Sequence, residues 1–169
     1  MTQNDMETET IAYVTARLVR RARIGVPGMA YATFEAPLAR EAVIKGMTDA
    51  LTPDAIPVQH VALERGLPAI HHVRRLMYAV LPGATGVLHV TGFDKGAFTG
   101  VLEAGDTVDN LVFFQALRLF NYNRENLVNY PVQQVWWMSP DDGTTFENTV
   151  PELARYFLVS VHLTETPAP

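Results

Sequence analysis

The sequence contains no cysteine and only two lysines, and each scarcity removes classes of chemistry. Without cysteine there is no disulfide, no thiolate nucleophile and no cysteine-ligated zinc. Lys45 and Lys95 are the only residues available for any lysine-dependent chemistry. No apolar run approaches the roughly 18 residues that a membrane-spanning helix needs, so we expect no membrane partner.

Charge is scarce and unevenly distributed. Charged residues make up 18% of the chain and hydrophobic residues 48%, as in an ordinary globular protein. Residues 94–169 carry four basic against ten acidic side chains, a net charge of −6, so we expect no nucleic-acid partner. The acidic, polar start MTQNDMETET predicts neither a secretory signal nor a transit peptide, and a cytoplasmic location is expected.

Hydrophobic periodicity predicts strands that alternate with helices. The predicted strands are 29–35, 57–63, 87–90, 132–138 and 158–162; the predicted helices are 6–23, 37–51, 66–80, 107–130 and 151–157. This order predicts an α/β three-layer sandwich with a mostly parallel five-stranded sheet and helices on both faces. We expect an N-terminal helix over 1–25, the α/β domain over 26–163 and a flexible tail over 164–169.

Polar residues follow several predicted strands, where ligands bind in parallel sheets. Glu35 follows the first strand, and Asp94 follows the apolar strand of VLHVTGFD. An aspartate at the carboxyl end of an apolar strand is in a typical position for a residue that holds magnesium. Ser139 follows the aromatic strand VQQVWWM. These three residues are candidate ligand or partner residues.

Two segments, VLHVTGFD and LFNYNRENLVNYPVQQVWWMSP, resemble the degenerate P-loop NTPase-like domains of AAA/STAND type found in bacterial signalling and defence proteins. The resemblance implies a sheet with strand order 5-1-4-3-2 and the first strand in a central position. It places Asp94 at the magnesium-binding position and Ser139 near the sensor position.

The sequence departs from active members of that family after the first strand, where it reads Glu-Ala-Pro-Leu-Ala-Arg-Glu from Glu35. A phosphate loop requires glycines that turn backbone N–H groups toward phosphates, and a lysine that reaches the β and γ oxygens. Neither Lys45 nor Lys95 has the glycine spacing of that motif, so the chain has no Walker A loop. Glu35 adds negative charge where a triphosphate would lie.

Histidine pairs provide little for a metal ion. His71 and His72 are adjacent on a predicted helix and point about 100° apart. His60 and His89 lie within predicted strands and are possible neighbours in the sheet. With no cysteine and no acid at a fixed spacing, we predict hydrogen-bonded core or interface histidines and no metal site.

Two further groups have competing interpretations. Ser139, Asp141 and Asp142 are predicted to form a polar turn rather than a catalytic set, because no G-x-S-x-G elbow exposes the serine. Arg124 follows a bulky apolar helix and is either a phosphate or partner contact or a residue bonded to nearby carbonyls and acids. No catalytic residue is predicted.

The supply of large apolar side chains is concentrated in residues 111–122 and at Trp136-Trp137. A helix that is apolar all round is buried on several sides or meets another protein. Successive strand residues face opposite ways, so the tryptophan pair predicts a central strand covered on both faces. Part of the helix, or of the N-terminal helix, is expected at an interface.

The resulting hypothesis is a non-catalytic, P-loop-like domain that serves protein–protein interaction or regulation in a bacterial signalling or defence assembly, with no cofactor. The partner is another protein or a second copy of the chain. One alternative is a nucleotide-binding or hydrolysing domain with an atypical phosphate loop that uses Asp94 for magnesium. Another is an unrelated α/β hydrolase that uses Asp94 or Ser139.

Overall fold

The computed structural model describes residues 9–63, 69–79, 85–92 and 109–168. Strands and helices alternate along these residues. The strands are β1 (Gly28–Phe34), β2 (Val58–Ala62), β3 (Val87–Thr91), β4 (Gln133–Met138) and β5 (Phe157–Leu163). The helices are α1 (Ile11–Ile24), α2 (Pro37–Leu51), α3 (Ala69–Ala79), α4 (Asp109–Tyr122), α5 (Arg124–Val128), α6 (Pro140–Thr149) and α7 (Pro151–Ala154). Within this part of the chain, none of the helices combines the length and apolar character of a membrane span.

The five strands form one sheet in the order β2-β3-β4-β1-β5, and every described pair is parallel. This is the order 5-1-4-3-2 read from the other edge, which the family resemblance implied. β1 and β4 are adjacent central strands, with Tyr31 opposite Trp136. The α/β fold class and the central position of these two strands are therefore confirmed.

Helices cover both faces of the sheet, and each face has its own apolar core. α1 and α2 pack on the face that carries Ala30, Ala32 and Trp137. The helices α3 to α7 cover the other face, which carries Tyr31 and Trp136. The two tryptophans are 0% and 1% exposed and lie on opposite faces, so the prediction of a strand covered on both sides is confirmed.

The first helix is shorter at its start than the predicted 6–23. Thr10 caps α1 by accepting a hydrogen bond from the Tyr13 backbone N–H at 3.1 Å. Glu9 is not helical, because its backbone forms a parallel bridge with Leu163 at the end of β5. The helix ends at Gly25, whose φ of 73° is the left-handed conformation that glycine adopts without strain.

The outer edge of β5 is covered by two charged side chains from the N-terminal segment. The Glu9 carboxylate accepts from the His162 backbone N–H, and Arg17 donates to the Ser160 carbonyl at 3.1 Å. Glu9 and Arg17 also form an ion pair at 3.2 Å. Thr164 and Glu165, in the predicted tail, hydrogen-bond to this same segment. Two outer-edge groups of β5, the His162 N–H and the Ser160 carbonyl, are thus satisfied within the chain, which hinders pairing with another strand.

Two predicted helix boundaries near the carboxyl half are wrong. The single helix predicted over 107–130 is divided at Asn123, whose side-chain amide donates to the Leu119 carbonyl at 2.8 Å and whose backbone leaves the helical region. The short helix predicted over 151–157 begins at Pro151 as expected but ends at Ala154, and Phe157 is instead the first residue of β5.

Candidate functional site

The connection between β1 and α2 follows the first strand of the sheet, the position of the phosphate loop in active P-loop NTPases. It consists of Glu35 and Ala36 alone, because β1 ends at Phe34 and α2 begins at Pro37. The Glu35 N–H donates to the Leu163 carbonyl at 3.3 Å, and Pro37 has no N–H. Two of the backbone donors that would face a phosphate are therefore absent or already used.

The charged groups beside this connection are also engaged with one another. The Arg40 guanidinium lies over the Phe34 ring, 4.7 Å from its centroid, and pairs with Glu41 at 2.8 Å. Glu35 is exposed at the end of β1. The connection thus presents the Glu35 carboxylate to solvent, while Arg40 on α2 is held against the Phe34 ring and Glu41.

Ser139 is the N-cap of α6, directly after β4. Its hydroxyl oxygen accepts from the Asp142 backbone N–H at 3.1 Å, and its O–H donates to the Asp142 carboxylate at 2.8 Å. The predicted turn over Ser139–Gly143 is therefore wrong: these residues begin a helix, because serine followed by proline and two acids satisfies the first N–H groups of a helix. Both hydrogen-bonding functions of the hydroxyl are used in this cap.

Of the three predicted ligand or partner residues that the structure describes, Arg124 lies apart from Glu35 and Ser139. Glu35 and Ser139 lie at the carboxyl ends of β1 and β4, which are neighbours. Arg124 begins α5, which precedes β4 and lies at the amino edge, and its guanidinium donates to the Asn121 carbonyl at 3.0 Å. Asp94 lies outside the described residues. Their roles remain predictions.

A cavity of about 280 Å³ opens at the carboxyl edge, between β1, β5 and α6. Seven polar residues line it: Tyr31, Thr33, Glu35, Thr144, Glu147, His162 and Thr164. Pro140 and Leu163 supply apolar wall. The Thr33 hydroxyl and the His162 Nδ1 are joined by a hydrogen bond of 2.8 Å. The lining therefore has two carboxylates and no lysine or arginine.

Tyr31 is the most buried of the polar aromatic groups at this cavity. It is 7% exposed, and its ring stacks on Phe146 and meets Phe157 edge-on. Its hydroxyl lies against Gly143, where a Cβ atom would come within 1.7 Å of the oxygen. The hydroxyl makes no hydrogen bond with any residue that the structure describes. Burial, and the nearby Glu147 carboxylate, raise the pKa of Tyr31 to about 12, so the phenol stays protonated.

Sequence reasoning identified only Glu35 among the residues of this cavity. Tyr31 and Thr33 lie two apart on β1, a spacing that places them on one face of the strand. That signal was available in the sequence. Glu147 and His162 lie on elements that meet β1 only through the parallel crossovers, so no local pattern brings them to it.

The histidines occupy the positions that the patterns suggested. His60 and His89 are directly opposite on β2 and β3, and His89 accepts a hydrogen bond of 3.1 Å at Nδ1 from the buried Trp137 indole. His72 is buried and His71 is exposed, as adjacent helical residues require. Over residues 9–63, 69–79, 85–92 and 109–168, no three His, Asp or Glu residues are grouped to hold a metal ion.

Comparison with known proteins shows a likeness of fold. No family model and no curated protein matches the sequence. Among solved structures, the Aeropyrum pernix ORC2 protein in its ADP form matches with a TM-score of 0.54 and 9% identity, over 97% of this chain and 50% of that chain. The same protein in ADPNP–ADP complexes matches with a TM-score of 0.50 and 10% identity, over 96% and 50%. Rif2, solved in complex with the C-terminal domain of Rap1, has a TM-score of 0.48 and 8% identity, over 96% and 56%.

The topology and the likeness to the ORC2 structure together define the class of fold. The chain is a three-layer α/β sandwich with a P-loop NTPase-like fold. It spans about half the length of the ORC2 chain that it matches.

Proposed function

We propose that this chain is a non-catalytic P-loop-like domain that serves protein–protein interaction or regulation. The observation that carries the proposal is the connection of two residues, Glu35 and Ala36, between β1 and α2. A Walker A motif alone has roughly eight residues, from its first glycine to the serine or threonine that contacts magnesium. Two residues cannot wrap a phosphate, and one of them is an acid.

The electrostatics of the carboxyl edge support the same proposal. Catalysis of phosphoryl transfer consists mostly of positioning and of neutralising phosphate charge with lysine, arginine, magnesium and backbone N–H groups. Glu35 and Glu147 face the cavity beside β1, and the nearest arginine of α2 pairs with Glu41. This edge repels a triphosphate rather than neutralising it.

Exposed aromatic and apolar side chains supply surface for a partner. Tyr78 near the end of α3 is 78% exposed and Tyr122 at the end of α4 is 84% exposed; Ile24 at the end of α1 is 63% exposed. Large side chains of this kind are enriched at protein interfaces. A protein partner or self-association, and a role in bacterial signalling or defence, remain part of the proposal.

Nucleotide titration tests the proposal directly. Calorimetry with Mg-ATP and Mg-GTP is expected to show no binding at micromolar concentration, and turnover assays no hydrolysis. Asp94→Asn is compared with Asp141→Asn, an exposed acid on α6, as the control. Micromolar binding, or turnover that Asp94→Asn abolishes and Asp141→Asn preserves, would support the alternative of a nucleotide site that uses Asp94 for magnesium. The ADP named for ORC2 is the reason for choosing adenine nucleotides first.

A further inference from the structure

The cavity between β1, β5 and α6 has the chemistry of a cation site. Glu35 lines it from the end of β1 and Glu147 from α6, and its lining contains no lysine or arginine to neutralise them. Two carboxylates at one cavity favour a cationic ligand, because like charges in proximity are relieved by a cation between them.

A second, independent feature of the cavity is the Tyr31 hydroxyl. Tyr31 is more than nine-tenths buried, lines the cavity, and has no hydrogen-bond partner among the described residues. Because that hydroxyl has no partner in the described part of the chain, it is available to a ligand in the cavity. Its oxygen can accept an N–H from a ligand while its proton is donated to a carboxylate such as Glu147.

We propose that this cavity binds the guanidinium group of an arginine side chain presented by a protein partner. A guanidinium has five N–H donors in a plane and no acceptor, which matches a lining of two carboxylates and a phenol oxygen. Pro140 and Leu163 provide apolar surface for the methylene groups of the arginine. A metal ion fits less well, because no three His, Asp or Glu side chains in the described part of the chain are grouped to hold one, and this includes the residues of the cavity.

The net charge of the chain agrees with a basic partner. It is −5 overall at pH 7, and the acidic excess lies in residues 94–169, which include α6 and β5. Such a surface attracts a basic segment over a Debye length and repels an acidic one. This inference rests on the proposed interaction function and assigns the chemistry of the partner.

The test uses blocked peptides and amide chemical shifts of the full chain. The probe is Ac-Gly-Ser-Arg-Ser-Gly-amide, and the matched control ligand has citrulline, which is uncharged and of the same shape, in place of arginine. We expect saturable shifts at Thr33, Glu35, Thr144 and Glu147 with the arginine peptide and none with the citrulline peptide. Equal binding of the two peptides, or shifts confined to another part of the fold, would overturn the proposal.

Substitutions then connect binding to the named groups. The double variant Glu35→Gln/Glu147→Gln is expected to lower the affinity for the arginine peptide by about tenfold or more, and Tyr31→Phe by about threefold. The difference is expected because charge-assisted hydrogen bonds are stronger than neutral ones. Glu152→Gln, on the exposed surface of α7, is the control and should leave affinity unchanged. Unchanged affinity in the Glu35/Glu147 double variant, with circular dichroism showing that it is folded, would contradict the assignment.

Two further arms separate the possible failures. Tighter binding of free L-arginine than of the blocked peptide would overturn the assignment to a protein partner, because a small-molecule site would use the free amino and carboxylate groups. If neither the arginine peptide nor Mg-ATP binds, the assignment of the cavity is wrong but the proposed function is not contradicted. Micromolar Mg-ATP binding would overturn the proposed function instead.

Discussion

The buried histidine of β3 makes the stability of this protein depend on pH in a way that one substitution tests. His89 is 0% exposed. It lies on the face of the sheet that α1 and α2 cover, beside Trp137. Its Nδ1 accepts the Trp137 indole N–H, so the proton of the neutral ring is on Nε2, which has no partner within the described part of the chain. Protonating Nδ1 would break the hydrogen bond to Trp137.

Burial, with a smaller contribution from His60 opposite it on β2, lowers the pKa of His89 from 6.5 to about 3. The unfolded chain therefore binds a proton as the pH falls below about 6.5, while the folded chain does not until about pH 3. Stability is thus fully present above the unfolded pKa and is lost as the pH falls. Between pH 8 and pH 5, His89 alone lowers the free energy of unfolding by about 2 kcal/mol.

The assay is urea unfolding at pH 8, 7, 6 and 5 for the wild type and His89→Asn. Asparagine keeps an acceptor for the Trp137 N–H and does not titrate. The His89→Asn variant should therefore lose about 2 kcal/mol less stability than the wild type between pH 8 and pH 5. Burial also lowers the pKa of His60, but His60 is present in both proteins. His71→Asn, which removes an exposed histidine, is the matched control. A His89→Asn curve parallel to the wild-type curve would refute the reasoning.

Three other predictions follow from packing and exposure. Gly143→Ala should lower the free energy of unfolding by about 1–3 kcal/mol, because the new Cβ would come within 1.7 Å of the Tyr31 hydroxyl oxygen. Adding Tyr31→Phe should recover part of that loss in urea titrations. An unchanged free energy of unfolding in Gly143→Ala would contradict this packing. Glu9→Ala should lower the free energy of unfolding by about 1 kcal/mol and promote aggregation, because it uncovers the β5 edge. Asp49→Ala, which removes an exposed ion pair, is the control and should change neither stability nor aggregation. If part of α4 lies at an interface between copies, Tyr122→Ser should reduce the mass measured by light scattering; a monomeric wild type would remove the basis for this expectation.

The alternation of strands and helices could be predicted from the sequence because it depends on local periodicity and on stop signals. Trp136 and Trp137 are adjacent and both apolar, and in a strand that pattern requires burial on two faces. The missing phosphate loop is equally local: glycine and lysine at a fixed spacing are absent. The errors lay at helix ends such as Ser139 and Ala154, where local backbone geometry rather than composition decides.

By itself, the sequence determined the fold class, the order of elements and the absence of a Walker A loop, since each is expressed within a short stretch of chain. Only the tertiary structure brought Tyr31, Glu147 and His162 to one cavity, through two parallel crossovers that place the carboxyl ends of β1 and β5 beside α6. It also placed Arg124 at the opposite edge from Glu35. Positions so distant along the chain leave no periodic signal, because their proximity is set by how whole layers pack rather than by neighbouring residues.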